Sequence, residues 1–205
     1  MAGLSLQTDA VVIDKRPASD SFQTFRVLSP EDGLLRVLQR IPSRKSASFV
    51  ALDLFDTASL LLESSNQGQT WFVKEARVVT RRTAIGHHYE SLLCASQLCS
   101  LAMQNPVHGE SWSPMAFLLT SAFDAFESSR APEIILFKAL YRFARDEGYP
   151  VKQEWLPLLR GDDAAVAEDI LAKPAAESVG RGAEATRLLA ALKDYLRGHT
   201  ELSIE

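Results

Sequence analysis

Arg36 and Arg40 stand four residues apart in the run LLRVLQRI (34–41), and Arg44 and Lys45 follow in the Ser-Arg-Lys-Ser cluster at 43–46. In an extended strand alternate side chains share a face. Arg36 and Arg40 therefore point one way, and Leu35, Val37 and Ile41 point the other. Leu34 and Leu38 fall on the arginine face, so the alternation is imperfect. Ser43 and Ser46 add hydroxyls suited to phosphate oxygens. Lys15 and Arg16 close an earlier apolar run, and Arg77, Arg81 and Arg82 close a later one. The chemistry such residues perform is non-covalent: cations replace the counterions of a polyanion backbone. The competing reading is a solvated rim of surface charge.

Covalent chemistry has little support in this chain. The sequence holds no G-x-S-x-G, no Walker loop, no G-x-G-x-x-G after a strand and no H-E-x-x-H. The Gly-rich piece VGRGAE (179–184) follows no strand-like run and reads as a linker into a helix. His87 and His88 are adjacent, so on a helix they point about 100° apart and are poorly placed to chelate one ion. Glu90 adds no recognised metal spacing. Cys94 and Cys99 lie five apart in a helical run, off a common face and outside C-x2-C spacing, and read as small buried side chains. No catalytic residue, metal or cofactor is expected.

The elements that position the cations follow from patterning. With 205 residues, 46% hydrophobic and 23% charged, the chain reads as an ordinary globular protein that buries a sizeable core. Its start lacks a basic-then-apolar leader, and its apolar runs fall well short of the roughly 20 residues of a membrane span. The expected location is the cytoplasm, with no membrane partner. Residues 10–16, 21–28, 34–41, 49–63 and 70–79 read as five strands, the fourth long enough to bend midway. SPEDG (29–33) and SSNQGQ (64–69) supply turns. Five strands at short spacing suggest a small closed or sandwich sheet.

From residue 83 the pattern turns helical. Helices are expected over 83–104 (with Tyr89, Leu92, Leu93 and Met103 on one face), over 113–128 (with Phe117 and Ala125 in the stripe) and from Pro132 to Gly148. A short one capped by Asp162 or Asp163 and a last one over 183–197 follow. Strands followed by helices argue for an α+β chain in two domains, 1–80 and 81–205. The formal charge of −4 is divided unevenly: residues 1–82 hold 11 Lys and Arg against 9 Asp and Glu, and residues 83–205 hold 11 against 17. The strand half is thus the cationic one. On the third helix Lys138, Arg142 and Arg145 share a face at spacings of four and three. They form a candidate docking stripe for an acidic protein tail, or else a solvated helix face.

With these residues in view, the chain resembles the RecO family of bacterial recombination mediators. Arg16, Ser19 and Asp20 stand near that family's "R-x-x-x-E-S-D" bend, Ser29 to Leu34 at its "T-x-x-x-G-x-L" turn, and Gln39 to Ser46 at its "K-G-x-R-x-x-x-S" basic loop. Residues 51–62 and 70–78 match its last barrel strands, and EIILFKALYRFARDEGYP its "L-L-x-x-x-G-Y-x-P" helix end. Ile41-Pro42 replaces the loop glycine, and the bend (PASDS, 17–21) lacks the Glu. No cysteine follows Cys99, so the resemblance is to members without the four-cysteine zinc module. The resemblance implies an N-terminal five-stranded OB-fold and an α-helical C-terminal domain. It implies binding of single- and double-stranded DNA, strand annealing and help in recombinase loading, without catalytic turnover. The partners it implies are a RecR-like mediator and single-stranded-DNA-binding protein, and the location it implies is the nucleoid. Carried over by position, Arg40, Arg44 and Lys45 are its DNA-binding residues. Lys15, Arg16, Arg36, Arg77, Arg81 and Arg82 join them from the charge pattern. A non-catalytic adaptor of the same architecture is the alternative, favoured by the acidic helical half.

Overall fold

The computed structural model describes residues 4–42, 49–64, 66–105 and 111–204. Five strands, β1 (Leu4–Lys15), β2 (Phe22–Ser29), β3 (Gly33–Arg40), β4 (Thr57–Ser64) and β5 (Trp71–Thr80), close into a barrel of order β1-β2-β3-β5-β4. All neighbours run antiparallel except β3 and β5, which are parallel. This closed five-stranded arrangement followed by helices is an OB-fold barrel with an α-helical C-terminal region.

Closure depends on β1. Its first half pairs with β4 from Leu4↔Ser64 to Val11↔Thr57, and its second half with β2 from Val11↔Leu28 to Lys15↔Phe25. A register shift between Val12 and Asp14 bends the strand from one neighbour to the other. The interior is filled by alternate residues, among them Val12, Phe25, Val27, Val37, Leu60 and Leu62. At roughly 25 cal/mol per Å² of apolar surface removed from water, each such side chain stabilises the barrel by about 1.5–3 kcal/mol. Trp71 belongs to this core.

The β2–β3 connection is a three-residue loop, Pro30 to Asp32, that brings Ser29 opposite Gly33. Ser29 Oγ accepts from the backbone N–H groups of Glu31 (3.2 Å) and Asp32 (3.0 Å). Gly33 has φ +74°, and a Cβ there would lie 2.6 Å from Trp112 Nε1, so the position suits glycine alone.

The fourth strand is shorter than patterning suggests. Residues 49–56 are irregular, and β4 begins only at Thr57. Asp56 accepts from the backbone N–H of Asp53 (2.9 Å), and Asp53 accepts from that of Leu54 (2.9 Å). Phe55 takes φ +66°. These side-chain-to-backbone bonds offer the chain an alternative to the ladder, and they win here.

The chain divides into two compact units, Met1–Arg82 with Gly109–Thr120, and Thr83–His108 with Ser121–Glu205. The helices are α1 (Tyr89–Gln104), α2 (Ser113–Ser128), α3 (Pro132–Asp146), α4 (Asp163–Ala172) and α5 (Gly182–His199). Within the second unit α3 packs on α1 and α5. Trp155 fills the space beside it, with ring centroids 6.0 Å from Phe137 and 6.1 Å from Tyr141. Pro132 opens α3 and Gly148, at φ +90°, follows its end, as patterning suggests.

Two stripes differ from expectation. In α1, residues 83–87 form a 3-10 turn, and the α-helix buries Cys94, Ala95, Leu98, Cys99 and Ala102. Tyr89 and Leu93 are 72% and 43% exposed. Small side chains let that face pack closely, and apolar periodicity read from the larger residues points the wrong way. In α2 the buried stripe is Met115, Leu119, Ala122, Phe123 and Phe126, while Phe117 is 57% exposed. Among the described residues no helix is long and apolar enough to cross a membrane.

Candidate nucleic-acid interface

Three of the barrel's cations, Arg26, Arg36 and Arg40, share the outer face of β2 and β3. Phe25, Val27 and Val37 point inward and are fully buried, so Arg26, Arg36 and Arg40 point out and are exposed. Register sets their spacing. Arg26 is the cross-strand partner of Arg36, and Phe22 is the partner of Arg40. Two guanidiniums thus stand directly opposite each other, a placement that costs stability through like-charge repulsion. Among the described residues none of the three has an ion-pair partner. Arg26 is absent from the sequence-derived set, although the turn that pairs Ser29 with Gly33 already fixes its place.

Beside them, Phe22 and Phe72 meet across β3 edge-to-face, with ring centroids 5.7 Å apart at 70°. Parallel pairing of Leu38 with Phe72 carries β5 alongside Arg40 and adds Lys74 to the same neighbourhood. Lys74 is tied to Glu63 at 2.9 Å.

The remaining candidates divide by what they touch. Arg16 lies in the β1–β2 connection and pairs with Asp14 at 2.7 Å. Lys15 donates to Asp53 at 2.9 Å. Burial pushes the Asp53 carboxyl up, but the Lys15 ammonium and the Leu54 N–H more than offset this and hold it below its usual value. Arg81 donates to both oxygens of the buried Asp56 (3.2 and 2.9 Å) and to the Ala51 carbonyl (2.6 Å). The Asp56 hydrogen bonds raise its already high pKa. Arg82 is buried and donates to the Phe55 carbonyl (2.7 Å) and Thr57 Oγ1 (2.9 Å). Lys15, Arg81 and Arg82 thus staple the irregular 50–56 segment onto the barrel. Sequence could not show this, because their partners lie 25 to 38 residues away.

Arg77 is exposed on β5 but sits opposite Ser59 of β4, five residues beyond the Leu38–Phe72 pair. At about 3.3 Å per residue it lies some 16 Å along the strand from that pair, on a different part of the surface. Arg44 and Lys45 lie outside the described residues, as do Ser43 and Ser46.

The α3 stripe is engaged locally. Lys138 Nζ donates to the carbonyls of Ile170 (2.7 Å), Leu171 (3.1 Å) and Lys173 (2.6 Å), satisfying the open end of α4. Desolvation lowers its pKa. Arg142 and Arg145 both pair with Asp146, at 3.4 and 2.7 Å. His87 and His88 are exposed, and among the described residues no group of His, Cys, Asp or Glu could hold a metal ion.

The closed barrel defines a class by fold alone: an OB-type module followed by a helical region. Comparison of the chain with protein-family models matches none of them, and comparison with curated proteins finds no relative.

Proposed function

We propose that this chain is a non-catalytic DNA-binding protein of homologous recombination and repair, which binds single-stranded DNA on the β2–β3 face and anneals complementary strands. One observation carries the reading: Arg26 and Arg36 face each other, Asp14 on the other side of Arg26 is taken by Arg16, and Arg40 follows on the same face, with none of the three arginines in an ion pair among the described residues. Repulsion between paired cations is relieved when a polyanion lies over them and its counterions leave. Annealing then needs no reacting side chain. Cations that screen two backbones let base pairing supply the specificity. The RecO resemblance supports the same role, and with it assistance to a recombinase and partnership with a RecR-like mediator and single-stranded-DNA-binding protein.

The test is an annealing assay with two complementary oligonucleotides, one carrying a fluorophore and the other a quencher. The purified chain should speed pairing, and Arg36→Glu/Arg40→Glu should remove the acceleration. Wild-type protein that pairs the strands no faster than buffer would end this reading.

A further inference from the structure

Beyond the arginine pair, the barrel carries a trough in two lobes. The first, of about 360 Å³, is floored by Phe22, Leu38 and Phe72. The second, of about 510 Å³, is lined by Phe49 and Val50 together with the polar Gln39 and Glu75. Both volumes fall within the roughly 300–1,000 Å³ of small-molecule sites. Arg40, Val73 and Lys74 line both lobes, so the two share a cationic divide.

The apolar side chains in both lobes are open to solvent. Phe72, Phe49 and Val50 are 36%, 37% and 39% exposed. Glu63 lines the first lobe but is held by Lys74, and Glu75 lines the second. Arg40 has no ion-pair partner among the described residues, so a cation at the divide is available to a ligand. The trough therefore presents a chiefly apolar lobe, a cationic divide, and a second lobe in which Phe49 and Val50 stand beside Gln39 and Glu75. The complement is two flat rings joined through an anion.

We propose that this trough holds one dinucleotide step of single-stranded DNA, with a base in each lobe and the linking phosphate at Arg40. The proposal rests on the DNA-binding reading above and adds the feature that selects the strand state. In a duplex the base faces are covered by their neighbours, and only the backbone reaches the protein. An unstacked strand offers both base faces and phosphate.

Binding of a labelled oligo-dT and of a duplex of equal length, by the full chain, tests it. Stacking on an aromatic ring is worth about 1–3 kcal/mol per base, so Phe72→Ala should weaken single-strand binding by about 5- to 150-fold. Phe72→Leu, which keeps apolar bulk against Phe22 but offers no aromatic face, should also weaken it. Both should leave duplex binding and the salt dependence unchanged. Arg40→Gln should instead flatten the single-strand salt dependence by about one phosphate, roughly 0.7 in slope. If both Phe72 variants bind the single strand like wild type while Arg26→Gln/Arg36→Gln binds less, the trough assignment is wrong and the arginine face stands. Equal losses on single strand and duplex would also overturn it. Wild-type protein that binds neither DNA would overturn both readings.

Discussion

Arg26 and Arg36 are cross-strand partners on the outer face of the barrel, two like charges side by side, and the acid that flanks Arg26 on β1, Asp14, is paired with Arg16. Directly opposed like charges cost stability, and a bound polyanion would relieve that cost.

Replacing one member should expose that cost. Arg36→Thr removes the repulsion and puts a β-branched residue on a half-exposed strand. It should stabilise the chain by roughly 0.2–1 kcal/mol while weakening DNA binding. Denaturant unfolding and oligonucleotide titration on the same sample measure both. A less stable variant would show that Arg36 is held by contacts within the barrel.

Arg81 should behave in the opposite way. Its guanidinium compensates the Asp56 carboxylate, which is almost wholly buried. Arg81→Met leaves that charge uncompensated. Because Arg81 itself is 45% exposed, the cost should be about 1–3 kcal/mol, below the full penalty of a buried pair. DNA affinity per folded molecule should be retained. Loss of affinity without loss of stability would place Arg81 at the interface.

Lys138 reports on the helical region. Lys138→Met would strip three carbonyls at the end of α4 of their donor. Charged hydrogen bonds of this kind are each worth roughly 1.5–3 kcal/mol, offset here by relief of the lysine's desolvation. A net loss of about 1–2 kcal/mol is expected, with amide exchange quickening first in α4. Unchanged exchange there would assign the lysine no capping role.

The Cys94 thiol gives a pH signature. Burial pushes it from its ordinary 9.0 up to about 11, helped by Glu133 and opposed by Lys193. The folded state therefore holds the thiol proton more tightly than the unfolded state. The stability this contributes is complete below pH 9 and is lost as pH rises through about 11. Unfolding free energy measured across that range should fall for wild type more steeply than for Cys94→Ala. Parallel curves would mean that Cys94 is not desolvated.

Much of the fold is legible before the structure. Turn chemistry at 29–33 and alternation in 22–40 place β2 and β3, and Pro132 with Gly148 frames α3. The Ser29-to-Gly33 turn even contains the missed Arg26, because counting back through the ladder brings it opposite Arg36. What resists reading is non-local. Arg81 and Arg82 look like two more surface cations until Asp56 and the Phe55 carbonyl appear beside them. The 49–56 segment looks like a strand because its apolar content is high, but its aspartates divert the backbone. In α1 small residues such as Cys94, Ala95, Cys99 and Ala102 join Leu98 and Leu101 in the buried face, so Tyr89 and Leu93 give a false stripe.

The salt dependence of binding decides the role of the β2–β3 face. Affinity for a single-stranded oligonucleotide should be measured over a range of salt for wild type and for Arg26→Gln/Arg36→Gln/Arg40→Gln. Each phosphate contact contributes about 0.7 to the slope of log K against log salt, so removing three cations should flatten the slope by about 2 and weaken binding at low salt. A triple variant with the slope and affinity of wild type would contradict the assignment of this face to DNA.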